Sequence, residues 1–349
     1  MYLLAILSSG LFYSYATTWL IAEKVASPFL ILFLSTIIDI YVFIDLIYLK
    51  KISKISSRIL SISTIFFLLL TLLFSHSDSL NLLIVLYLFC TVSFSFHLLS
   101  FEQELMESKG DAKAGLINIT LLRNFSKIIG FSLGALIYNM QIQHYIAILV
   151  ISFLFFSLIN IRPIPSSDSR VHFKEIKGKL YIFILAMVGA TAVFWIPLFV
   201  AELTEKNLLS FSSIVFAFPG IVSIAYLKLS KKEKFSLGIT STNIVHIALL
   251  ITFITLNILG IYLVLRVILF SFIVAVGISI SIEVRAKYMN LNKEIQTKTA
   301  LQTFNVIAAI SLLLFTLIAI YLPSFPFYLL ALNILASIII LIYRKEFVI

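Results

Sequence analysis

A carboxylate in the middle of an apolar stretch is the residue of this chain best placed to do chemistry. Asp39 lies in SPFLILFLSTIIDIYVFIDLIYLK, residues 27–50, about twelve residues from either end. At about 1.5 Å of rise per residue that depth is roughly 18 Å, too far for a short side chain to reach water. Ser35 stands one helical turn away on the same face. A group so placed either carries a proton or binds substrate beside a water-filled cavity, or it is a packing residue tied to a basic partner. Both readings stand at this level.

Other polar residues fall at helical spacing. Ser93, His97, Ser100 and Glu104 are spaced four, three and four, which puts them on one face of a fourth helix. Thr120, Arg123, Lys127, Gly130 and Gly134 form a similar stripe on a fifth. With Asp45 and Glu102 nearby, these groups suit an inner-gate charge network, matched in the second half by Glu283 and Arg285. The alternative is an anion-binding face built on Arg123 and Lys127, with His97 titrating between the stripes. Small residues such as Gly130 and Gly134 also let neighbouring helices approach. In the second half Asn243 and His246 share a face, while Arg266 and Asn305 add polar groups inside apolar segments. The candidates for substrate or coupling contact are therefore Asp39, His97, Arg123, Lys127, His246, Arg266 and Asn305.

The elements that carry these residues must cross a bilayer. The chain has 349 residues, of which 61% are hydrophobic and only 12% charged, and its mean hydropathy is +1.11. Soluble chains run about 45–50% apolar and about 25% charged. That excludes a cytosolic enzyme, a disordered chain and a nucleic-acid-binding domain. The lone Cys90 forms no intrachain disulfide, and five scattered His residues suggest no metal site. No phosphate-binding GxxxxGK[ST], HExxH or CxxC occurs. The expectation is no catalytic residue and no cofactor.

A spanning helix needs about 20 apolar residues. Breaks at charge, Pro, Gly and polar clusters predict twelve spans: 2–22, 27–49, 59–75, 79–101, 115–139, 144–161, 180–201, 207–229, 236–257, 259–282, 299–321 and 325–343. Only Asn257 and Gly260 separate the ninth from the tenth. The opening run lacks the basic start of a removable signal and reads as the first span. Twenty-one of the 26 Lys and Arg residues then fall in loops on the side of the N-terminus, against Lys24 and Lys206 opposite. Positive loops stay in the cytoplasm, so both termini are expected there, in a multi-pass plasma-membrane protein. The stretch 166–179 is the expected cytoplasmic linker between an N-terminal six-helix half, 1–165, and a C-terminal one, 180–349.

Sliding the chain by 181 residues aligns Lys50-Lys51 with Lys231-Lys232, Glu102 with Glu283 and Asn124 with Asn305. Six crossings separate the copies, so both have the same orientation, as in transporters built of parallel halves. With its twelve spans, basic central loop and internal termini, the chain resembles the major facilitator superfamily. The stretch YVFIDLIYLKKISKISSR carries Asp45 and Lys50/Lys51 of the family's loop signature, with Tyr41 where the glycine would be. The fifth helix carries Asn124, Gly130 and Gly134 as the family does, but Ala135 replaces the proline that marks exporters.

The resemblance implies an all-α membrane fold of two parallel six-helix repeats. It also implies a secondary active transporter of a small solute working by alternating access, with proton coupling as one form. The implied partners are a small-molecule substrate and the lipid bilayer, without nucleic acid, and the chain would act as a monomer. The alternatives are an intramembrane enzyme acting on a lipid-linked substrate and a membrane subunit of a larger transport complex.

Overall fold

The computed structural model describes residues 2–22, 27–45, 57–73, 80–107, 112–139, 144–157, 177–230, 238–292 and 297–343. Among them are twelve α-helices and no strand: α1 Tyr2–Ala22, α2 Pro28–Ile44, α3 Ser57–Leu73, α4 Leu80–Glu107, α5 Ala112–Asn139 and α6 His144–Phe156. The second six are α7 Lys179–Glu205, α8 Ser212–Ser230, α9 Ile239–Ile258, α10 Leu263–Leu291, α11 Thr297–Tyr321 and α12 Phe325–Ile342. Each coincides with one of the twelve expected spans.

Seven helices (α1 and α7 to α12) are long and apolar enough to cross a membrane. The apolar parts of α2, α3, α4 and α6 are shorter. The outer surface of the helices is that of a membrane protein: Phe153 of α6 and Ile258 of α9 are 77% and 76% exposed, an exposure lipid welcomes and water does not. The chain is a multi-pass membrane protein.

Local chemistry fixes the helix ends. Pro28 and Pro326 stand in the first turns of α2 and α12, where a missing N–H costs nothing. α7 closes through Asn207 at φ 56°, with Leu208 N–H donating to Leu203 O at 2.8 Å. α9 closes the same way through Gly260 at φ 62°, with Ile261 N–H donating to Leu256 O at 3.1 Å. Each is a left-handed cap that satisfies the last carbonyls and turns the chain. The ninth and tenth spans are thus separate helices, divided at the Asn257–Gly260 signal. Pro197 and Pro219 lie inside α7 and α8, which continue through them.

Inside the bundle, α1 packs along α5 at close range. A Cβ built on Gly130 would stand 2.6 Å from Leu7 O, and one on Gly134 2.5 Å from Leu11 O. Only glycine permits that approach. Further packing pairs α2 with α4 and α11, α3 with α6, α5 with α8, α7 with α11, α8 with α10, and α9 with α12. Buried hydroxyls bond back to their own helices: Ser35 and Thr36 of α2 donate to Ile31 O and Leu32 O at 2.9 and 2.7 Å. This satisfies polar atoms that lipid cannot.

Candidate functional site

Asp39 is half-buried in α2, where α2 packs on α4. Ser95 Oγ on α4 donates to Asp39 Oδ1 at 2.9 Å. One turn along α2, Ser35 Oγ lies 3.1 Å from the Tyr87 hydroxyl of α4, and Thr91 Oγ1 donates to Tyr87 O at 2.9 Å. Tyr87 stacks on Phe12 of α1, with ring centroids 5.5 Å apart and planes 20° from parallel. The Asp39 carboxylate is near enough to Tyr87 and to Tyr13 of α1 to act on both electrostatically. Tyr13 in turn approaches Phe131 of α5 at 6.2 Å, and Phe131 meets Phe216 of α8 edge-on at 5.5 Å.

The arrangement is one carboxyl, two phenols and two serine hydroxyls from three helices, continued by an aromatic wall. Carboxyl and hydroxyl groups both donate and accept hydrogen bonds, so the cluster can hold a polar solute or pass a proton. Ser35 and Asp39 were expected to share a face. Tyr13, Tyr87 and Ser95 are additions of the structure, and the four-residue spacing of Tyr87, Thr91 and Ser95 is the signal that marks their stripe.

The remaining candidates lie elsewhere. His97 is buried two residues beyond Ser95, hence on another side of α4, where its Nε2 is 3.1 Å from Ser61 Oγ of α3 and its ring meets the edge of Phe155 of α6. It is turned toward α3 and α6 and not toward Asp39. His246 is fully buried between α9 and α12, its Nδ1 3.1 Å from Ser337 Oγ. Asn243 beside it donates to Ile239 O at 2.8 Å. Asn333 Nδ2 donates to Thr191 Oγ1 at 2.9 Å, so this second polar cluster joins α7, α9 and α12.

Arg266 stands where the ends of α7, α9 and α10 meet. It is buried, and each of its guanidinium nitrogens is used. Nε donates to Ile261 O at 2.9 Å and Nη1 to Asn257 Oδ1 at 3.0 Å. Nη2 pairs with Glu202 at the end of α7. The residue is a clamp on the ends of α7, α9 and α10, because a buried guanidinium needs all its donors satisfied. Lys206 shares Glu202 at 2.6 Å, but its side chain is half exposed. Arg266→Ala should therefore lower stability by about 2–3 kcal/mol, and Lys206→Ala by less than about 1 kcal/mol. Thermal unfolding of the purified variants checks this; equal losses would remove the clamp.

Among the inner-gate candidates, Asp45 is buried at the end of α2 and Arg123 is half-buried in α5. The Arg285 guanidinium of α10 lies over the Phe304 ring of α11 at 4.9 Å, a cation–π contact. Glu283 and Asn305 are half-buried on α10 and α11. The side chains of Glu102, Glu104 and Lys127 lie outside the described residues, as do residues 166–176 of the expected linker.

The twelve described helices have a solved structural counterpart, and the resemblance read from the sequence is supported at the level of fold. The human organic anion transporter MFSD10 (TETRAN), a crystal structure, superposes with a TM-score of 0.57 over 97% of this chain and 96% of that one. Sequence identity is 11%, so the likeness is one of fold. No protein-family model matches the chain, and no curated protein matches it.

Proposed function

We propose that the chain is a secondary transporter that moves a small solute by alternating access between halves 1–165 and 180–349, with Asp39 as its coupling carboxylate. The observation that carries this is the Asp39 cluster, an ionisable group beside hydroxyls and phenols within an apolar helix, a setting in which such groups are kept for ion or substrate pathways. The recurrence of packing partners after six helices supports two halves: α1 with α5 and α7 with α11, α2 with α4 and α8 with α10, α3 with α6 and α9 with α12. The halves would meet along α5–α8 and α2–α11 and rock about those seams. A transporter as structural neighbour agrees with the reading by analogy of fold.

Reconstituted protein tests it. A transporter accumulates a solute from a screened panel only under an imposed proton or sodium gradient and leaves the solute unchanged. Chemical turnover without a gradient would favour the intramembrane enzyme.

The orientation is proposed from the loop charges: both termini and the linker cytoplasmic, in the plasma membrane, with the protein a monomer. A reporter fused after Ile349 and one inserted within 166–172 should both be cytoplasmic, and one at 204–206 outside. A linker reporter on the outside would end the two-halves arrangement.

A further inference from the structure

The two seams between the proposed halves differ at one point. Where α5 meets α8, a Cβ on Gly220 would stand 2.7 Å from Ile128 Cγ1 and 3.6 Å from Asn124 O. The helix backbone there lies directly on Asn124 and Ile128. The 181-residue offset carries Gly220 onto Asp39, Ile128 onto Ala309 and Asn124 onto Asn305. α2 packs on α11 as α8 packs on α5. One seam sets glycine against isoleucine, and by the same offset its counterpart in the other seam would set a carboxyl against alanine. Such a swap preserves a close seam without a void or a clash. Ala309 is buried, as a residue in a closed seam would be, while Asp39 and Asn305 are both half-buried.

We propose that Asn305 is the positioning residue for Asp39, facing it across the α2–α11 seam. The proposal rests on the reading of Asp39 as the coupling group and extends it to the other half. An amide suits this place. Its N–H groups donate to a carboxylate, and its oxygen accepts from a carboxylic acid, so it partners Asp39 with or without the proton. It carries no charge to fix the proton in one place. Ser95 holds Asp39 from α4 in its own half, while Asn305 reads it from the opposite half, and the seam becomes the element on which protonation acts. The phenols of Tyr13 on α1 and Tyr87 on α4 are ionisable groups close enough for Asp39 to act on them electrostatically.

Cysteine pairs test the placement without any solute. In the full chain in native membranes, Asp39→Cys with Asn305→Cys should form a disulfide on mild oxidation, since bridged cysteines need Cα atoms about 4.4–6.8 Å apart. A protease site in the linker reveals the link between halves, and the buried Cys90 stays in place. Gly220→Cys with Ile128→Cys is the control at the observed contact. If the control pair links and the Asp39–Asn305 pair does not, the proposal is overturned while the transporter reading stands.

The second arm uses spin labels on the inner ends of the halves and reads their separation from pH 5 to 8. The pH response of the wild type should survive in Asn305→Gln and disappear in Asn305→Leu. An unchanged response in Asn305→Leu would reduce Asn305 to packing. Cross-linking together with an unchanged pH response in Asp39→Asn would instead refute Asp39 as the coupling group.

Discussion

Asp39→Asn should insert and fold like the wild type and lose gradient-driven uptake by about 10- to 100-fold, while retaining solute exchange. The substitution is isosteric, and the oxygen that accepts from Ser95 at 2.9 Å remains. What disappears is the charge and the ability to load and release a proton. A hydrogen bond to a charged group is worth about 1.5–3 kcal/mol, which is about 10- to 100-fold in rate if the transport step uses it. Exchange needs only the rocking of loaded carrier and no net proton movement, so it should survive. The measurement compares accumulation with counterflow in the same proteoliposomes. Unchanged uptake with unchanged pH dependence would make Asp39 a packing residue and return the search to His97 or His246. Each of those already has a serine partner, Ser61 for one and Ser337 for the other.

Gly134→Leu should yield no folded protein. The obstacles to a side chain there are Ser14 Oγ, which is nearest, and the Leu11 carbonyl of α1, 2.5 Å from the added Cβ, and that backbone cannot rotate aside as a side chain can. Relieving the clash means separating α1 from α5, which also displaces Phe12 and Tyr13 from the Asp39 cluster. Gly134→Ala carries the same first contact and should cost about 1–3 kcal/mol, as overpacked cores do. Gly189 is the comparison: nothing lies within 4 Å of its added Cβ. Gly189→Ala should be neutral or stabilise α7 by up to about 1 kcal/mol. Detergent-solubilised yield and melting temperature read all three. Equal behaviour of Gly134→Ala and Gly189→Ala would contradict the close packing of α1 on α5.

Bilayer thickness is the reason the helices were legible in the sequence. It sets a length that apolar runs must meet, and polar breaks such as Asn257–Gly260 then mark the turns between them. Gly130 and Gly134 were legible because close helix contacts in membranes select small residues. The rotation of α4 was not. Its two stripes, Ser93–His97 and Tyr87–Thr91–Ser95, have the same kind of spacing, and in an apolar helix no hydrophilic face tells which stripe turns inward. The role of Arg266 was hidden for a different reason. Its partner Glu202 is 64 residues away, and nothing local to either shows that the ends of α7 and α10 come together. Asp39 stood out because a carboxyl inside an apolar run is costly wherever it points, whereas its neighbours Tyr87 and Ser95 are ordinary membrane residues until the fold brings them to it.

The most direct measurement of the central claim needs no knowledge of the solute. Spin labels at Ile59→Cys and Ser241→Cys, exposed positions near the starts of α3 and α9, which the proposed orientation puts on the inner side, report the separation of the two proposed halves in nanodiscs. A carrier driven through Asp39 should show two distance populations whose ratio shifts between pH 5 and 8, and Asp39→Asn should hold one ratio across that range. A single distance that ignores pH in the wild type, or a shift that persists in Asp39→Asn, would contradict alternating access coupled through this carboxylate.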